Sequence, residues 1–152
     1  MASRIVVLAD AVAAAIVAAY GTPVAPLVVT TSSVYVPNVD PEKLLVNQRR
    51  VDVYPMNRVD AGPLSRAKIG VQNRIGVVVY ERYIETGTPP KAWMDERLAW
   101  VETNIEKVLG NAKNRFLGAY PDAIEIESHS PEQLVTNKLF WSECIVTLMD
   151  EE

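Results

Sequence analysis

Apolar residues at Ile5, Leu8, Val12, Ile16 and Ala19 recur every three or four positions, the interval that lines one face of a helix. Ser3 is placed to cap its start, and Gly21, just ahead of Pro23, to end it. The period then changes. Leu27 to Val36 is rich in β-branched residues and bounded by Pro26 and Pro37, which predicts a strand. Asp40-Pro41-Glu42 has the letters of a cap followed by proline at the first helical position, enough for a turn or two. Val51 and Val53 alternate with Asp52 and Tyr54 in a short strand that Pro55 should end. Asn57–Ser65 contains the turn-forming run Asp60-Ala61-Gly62-Pro63 and reads as a loop standing off the sheet. A long strand follows within Arg66–Arg82. Ile69, Val71, Ile75, Val77 and Val79 share its core-facing side, and Gln72, Arg74, Tyr80 and Arg82 its solvated side.

Gly87-Thr88-Pro89-Pro90 breaks the chain before a second helix, in which Met94, Leu98, Val101, Ile105 and Val108 keep the helical interval as far as Leu109 and Gly110. Trp93 and Trp100 lie one position off that stripe, where an indole serves either as the edge of the core or as an anchor at a subunit interface. Ile124 and Ile126 alternate with Glu125 and Glu127, a half-exposed strand, and Ser130-Pro131-Glu132-Gln133 spells a capping box. Leu139 to Met149 is almost continuously apolar, which predicts a central strand, and Asp150-Glu151-Glu152 follows as solvated acids. This order predicts an α+β fold, a mainly antiparallel sheet with two principal helices packed on it, in a single domain over residues 1–152.

Composition adds that the chain folds: 49% of residues are apolar and 22% charged, outside the disordered range. Cys144 is the only cysteine, so no internal disulfide forms, and its apolar neighbours predict a small buried hydrophobe. Ile5–Ala19 follows Arg4 as a secretory h-region would, but Asp10 interrupts it and favours a retained helix. No run reaches the roughly 18 apolar residues of a membrane span, so a soluble protein without a membrane partner is expected.

Charge changes the picture more. Between Lys43 and Arg82 eight basic residues stand against three acids, a local +5 in a chain of formal charge −4, so the remainder carries −9. Two oppositely charged patches suit a head-to-tail contact between identical subunits; an unevenly charged solvated surface is the plainer reading.

Candidate chemistry is sparse. His129 is the only histidine, and a Cys144–His129 nucleophile pair lacks the glycine-rich turn that would expose Cys144. One histidine and one cysteine do not make a zinc site. Glu125 and Glu127 read as the wet side of a strand rather than paired acid–base groups. Neither Gly62 nor Gly118-Ala119-Tyr120-Pro121 belongs to a phosphate loop. Tyr54, Tyr80 and Tyr83 have the faces to stack on bases, but a pI near 5.1 argues against nucleic-acid binding. No catalytic residue, cofactor or metal is therefore expected.

The Ala-rich first helix, Val34-Tyr35-Val36-Pro37, Val51-Asp52-Val53-Tyr54-Pro55, the Arg66-to-Arg82 strand and the terminal strand together resemble the tail-terminator proteins of long-tailed bacteriophages. The resemblance covers most of the chain in element order and length. It implies a non-catalytic virion protein, assembled in the host cytoplasm, that closes into a ring, usually a hexamer, on the head-proximal end of the tail tube. Such a ring stops tube polymerisation, contacts the tail tube protein and the neck connector, and lets DNA pass without sequence-specific binding. The expected assembly contacts are Arg49, Arg50, Arg58, Arg66, Arg74 and Arg82. Another neck or head–tail joining component is the neighbouring reading, and a small ligand-binding or enzymatic α+β domain with a pocket near His129 or Cys144 is the rival.

Overall fold

The first apolar stripe folds as α1 (Arg4–Tyr20), with Leu8, Ala9, Val12 and Ile16 fully buried, in a computed structural model that describes residues 3–37, 43–63 and 69–151. Ser3 occupies the cap position but makes no side-chain cap bond; its carbonyl instead accepts the Val7 N–H. Gly21 ends the helix at φ 63°, a left-handed geometry that glycine adopts without steric cost, and donates to the Val17 carbonyl.

Five strands form one sheet: β1 (Val28–Ser33), β2 (Gln48–Pro63), β3 (Ile69–Arg82), β4 (Tyr120–Glu127) and β5 (Leu139–Glu151), in the order β1-β2-β3-β5-β4. β1 runs parallel to β2 and the other neighbours are antiparallel, so the sheet is mixed rather than mainly antiparallel. The chain between Ser33 and Gln48 carries β2 back to the end at which β1 began, which is what a parallel pair requires.

Among the described residues three helices pack with the sheet instead of the two expected. Besides α1 there is a rod made of α2 (Lys91–Val101), a π-helical turn (Glu102–Glu106) and α3 (Lys107–Leu109), and then α4 (Pro131–Asn137). In α4 only half of the predicted capping box forms: the Ser130 hydroxyl accepts the Gln133 N–H at 3.3 Å, while the Ser130 N–H donates to the Trp141 carbonyl and the Gln133 side chain accepts from Asn137. The π turn wraps an extra residue into the rod, so its buried stripe is Val101, Ile105 and Leu109 rather than one ending at Val108.

β2 departs most from the expectation. It is not ended by Pro55, and residues 57–63 are not a loop: they continue β2 against β3, in a ribbon whose pairing shifts between Pro55 and Asn57 and again between Asp60 and Gly62. The Val53 carbonyl points toward β1, accepting the Val34 N–H. Two residues on, the missing Pro55 donor faces the same side, where β1 has already ended, so no ladder bond is lost. The remainder of the expected loop, with Ser65, and the turn at Asp40-Pro41-Glu42 lie outside the described residues.

The main core lies between α1, α2, the π turn, α3 and one face of the sheet, here the helix face, with Val51, Val53, Ile75, Val77, Val79 and Phe140 at its centre. Trp93 and Trp100 pack on its margin, as the core-edge reading has it. β5 lies between β3 and β4 as predicted for a central strand, and Cys144 on it is buried. The opposite, far face is not wet throughout. Tyr80 is fully buried, stacked on Trp141 at 5.9 Å, with its hydroxyl donating to Asp52 at 2.9 Å, and Leu44, Val78 and Leu139 join this second cluster. Tyr54 lies across the bare backbone of its cross-strand neighbour Gly76 and donates to Glu143 on β5 at 2.7 Å. Asp150, expected in solvent, is buried between Arg4 and Asn73.

Candidate assembly interface

Strand alternation places Arg49 on the same face as Val51 and Val53, so its guanidinium enters the subunit instead of leaving it. It is 1% exposed, bonded to Glu81 at 3.2 Å and Glu96 at 2.8 Å, and lies over the Trp100 ring at 4.8 Å. Arg97 Nε also donates to Glu81 and its guanidinium covers Trp93 at 3.8 Å. Two cations and two carboxylates thus pin α2 to β2 and β3. As an assembly contact Arg49 is corrected: a buried arginine whose donors are used internally is not presented to a partner.

Arg50 lies on the far face, bonded to Asp52 at 3.2 Å over the Tyr80 ring, with its side chain still 34% exposed. Arg74 shares that face and reaches across β5 to Glu125 on β4 at 3.6 Å. Arg82, also on that face, is exposed and lines a cleft of about 250 Å³ with Asn47, Tyr83, Trp93 and Arg97. The bulge after Pro55 turns Arg58 to the helix face, opposite Asn73, and its positive charge helps to lower the Asp150 pKa. Arg66 lies outside the described residues. The arginines therefore do not share one surface; Arg50, Arg74 and Arg82 do.

The acids gather at the other edge. From Phe116 to Asn137 the chain has Asp122, Glu125, Glu127 and Glu132 and no lysine or arginine. Glu127 on β4 stands directly opposite Glu143 on β5, a like-charge pair that destabilises a ladder unless a cation approaches. Tyr54 serves Glu143, and Arg74 serves the neighbouring Glu125. Among the described residues Glu127 has no cation partner.

Exposed large apolar side chains occur at both edges. Val24, Val28, Leu45 and Val46 meet at the start of β1, tied together by the Leu27–Val24, Val28–Asn47 and Gln48–Leu45 backbone bonds. Leu117, Ile126 and Val135 lie on β4 and the segments flanking it.

The two features linked to the rival enzyme reading lie outside the two clefts at Arg82 and Arg4. Burial, helped by the Glu106 charge, pushes the Cys144 thiol up to about 12, so it is protonated at neutral pH. His129 Nδ1 is buried with no hydrogen-bond partner among the described residues, and neither residue lines the Arg82 cleft or the open one at Arg4, Arg115 and Asp150. Among the described residues no helix is long and apolar enough to cross a membrane. Sequence reasoning missed Glu81, Glu96, Arg97, Asn73 and the Arg4–Asp150 pair. The signal for two of them was available, because Asn73 and Glu81 occupy the same strand parity as Val71, Ile75, Val77 and Val79.

No protein-family model and no curated protein matches the chain.

Proposed function

We propose that the protein is a virion structural component that works by closing into a ring of identical copies, as the tail terminator of a long-tailed bacteriophage does. The observation that carries this is the chemical inequality of the sheet's two edges. One edge, β1, is uncharged and backed by Arg50 of β2; the other bears the acids of β4 and a like-charge pair. A surface of one kind that complements a surface of the other kind on the same molecule makes a heterologous contact, and repeated heterologous contacts give a ring where the rotation between copies closes and an open filament where it does not. The ring, a hexamer on this reading, caps the head-proximal end of the tail tube, stops its polymerisation and meets the neck connector, with DNA passing through unread.

Negative-stain electron microscopy with light scattering of the purified protein tests the assembly. Closed rings of uniform subunit number are expected; a monomer under all conditions overturns it. Tails assembled without the protein should vary in length, whereas tails of normal length without heads attached place it as another joining component of the neck.

A further inference from the structure

The two edge strands differ in a way that side-chain charge alone does not express. β4 carries Pro121, a register shift between Pro121 and Ala123, and the acids Asp122, Glu125 and Glu127, devices that keep an edge from pairing with its own kind. β1 carries none of these: Val28–Ser33 reads Val-Val-Thr-Thr-Ser-Ser, without charge, proline or bulge. The Val28 and Val34 N–H groups point into the sheet, donating to the Asn47 and Val53 carbonyls. By alternation the N–H and C=O groups of Val29, Thr31 and Ser33 point outward. Among the described residues these groups have no backbone partner.

Topology selects what fits there. β1 is parallel to β2, and three antiparallel steps separate β2 from β4, so β4 runs opposite to β1. Copies related by rotation about an axis along the strands keep both strand direction and facing. The β4 of one copy then arrives antiparallel to the β1 of the next, eight residues against six. Charge fits as well. Glu125 and Glu127 are on the far face, and so are Thr30, Ser32 and Arg50. Arg74 already reaches Glu125 across one intervening strand, a span of about 10 Å between strand axes. Arg50 stands in the same relation to a β4 docked on β1.

We infer that each ring contact is a sheet continuation, in which β4 of one copy adds antiparallel to β1 of its neighbour and places Glu127 within reach of the neighbour's Arg50. This rests on the ring reading and specifies its interface. A β1–β1 contact would join two neutral strands as an isolated dimer and leave every β4 edge unused.

Cross-linking tests it. Thr30→Cys and Glu127→Cys place one thiol each on exposed far-face positions, and buried Cys144 does not compete. A bis-maleimide spanning about 8 Å, the diagonal spacing on a sheet face, tolerates a register offset. Mixing the two single variants should give a linked dimer, and the double variant a ladder ending at the ring; each single variant alone should give no link. Self-linking of Thr30→Cys, or rings seen by microscopy with no link between the two positions, overturns the edge pairing and leaves the ring reading standing. A monomer in every variant and in the parent chain overturns both. Independently, Ser33→Pro removes one outward donor at an exposed position and should convert rings to monomers that keep the parent's far-UV circular dichroism; intact Ser33→Pro rings count against the inference.

Discussion

Asp150 is the next-to-last residue of β5 and belongs to a run of acids, yet it accepts two hydrogen bonds from Arg4, at 2.8 and 3.1 Å, and one from the Asn73 amide. The Arg4 bonds, with smaller help from Asn73 and the Arg58 charge, hold its carboxyl below the usual range against the opposing effect of burial. A carboxyl whose folded pKa lies below the unfolded value, about 3.9, contributes stability that is complete above that value and lost as pH falls through the folded pKa. Asp150→Asn should therefore cost about 1.5 kcal/mol at neutral pH, the low end for charged hydrogen bonds because Arg4 is part exposed. Toward acid the difference should shrink, as pH falls from the unfolded value through the lower folded pKa to the limit at which both states are protonated. Urea unfolding between neutral pH and that limit measures it, and a constant difference across the range counts against the linkage. Such residues were legible only in part. Arg49, Asn73 and Glu81 sit on core parity and announce buried polar partners, but nothing in the local pattern tells that Arg4 will meet Asp150, 146 positions away.

The ribbon of β2 and β3 depends on Tyr54 and Gly76. A Cβ on Gly76 would lie 2.2 Å from Tyr54 Cζ, so Gly76→Ala must displace the ring and break its bond to Glu143. The expected cost is about 1–3 kcal/mol, the usual range for overpacking, and it should nearly vanish in a Tyr54→Ala background. A thermal-denaturation cycle over the four variants decides it; equal costs in both backgrounds would exclude the contact. At this scale the periodic elements were readable. α1, the two ends of the α2–α3 rod, β4 and the centrality of β5 follow from spacing and from caps, because burial there is one-sided and local. β2 was not readable, since Pro55 is harmless only when its neighbour strand has stopped, a fact of topology. The bulge that turns Arg58 to the helix face and the π turn that moves the stripe to Leu109 each add one residue to a period, which shows in the sequence only as a phase error.

For the whole molecule, the charge asymmetry was visible in the chain, but its direction became available only with the strand order. Basic β2 lies next to β1 at one side and acidic β4 ends the other, so the separation runs across the sheet. The sheet therefore has an electric dipole lying in its own plane and perpendicular to its strands. On the proposed ring contact, approaching copies would feel a torque that turns the β4 side of one toward the β1 side of another before any contact forms. Screening shortens that torque's reach, from about 10 Å in 0.1 M salt to about 3 Å in 1 M. Raising salt over that interval should slow assembly of the proposed rings several-fold in stopped-flow light scattering, while rings already closed persist through their backbone hydrogen bonds, which salt does not screen. A rate indifferent to salt would mean the dipole plays no part in the encounter. In the expected case the uneven edges of one small sheet act as an orienting field, making the correct encounter the frequent one before a hydrogen bond is made.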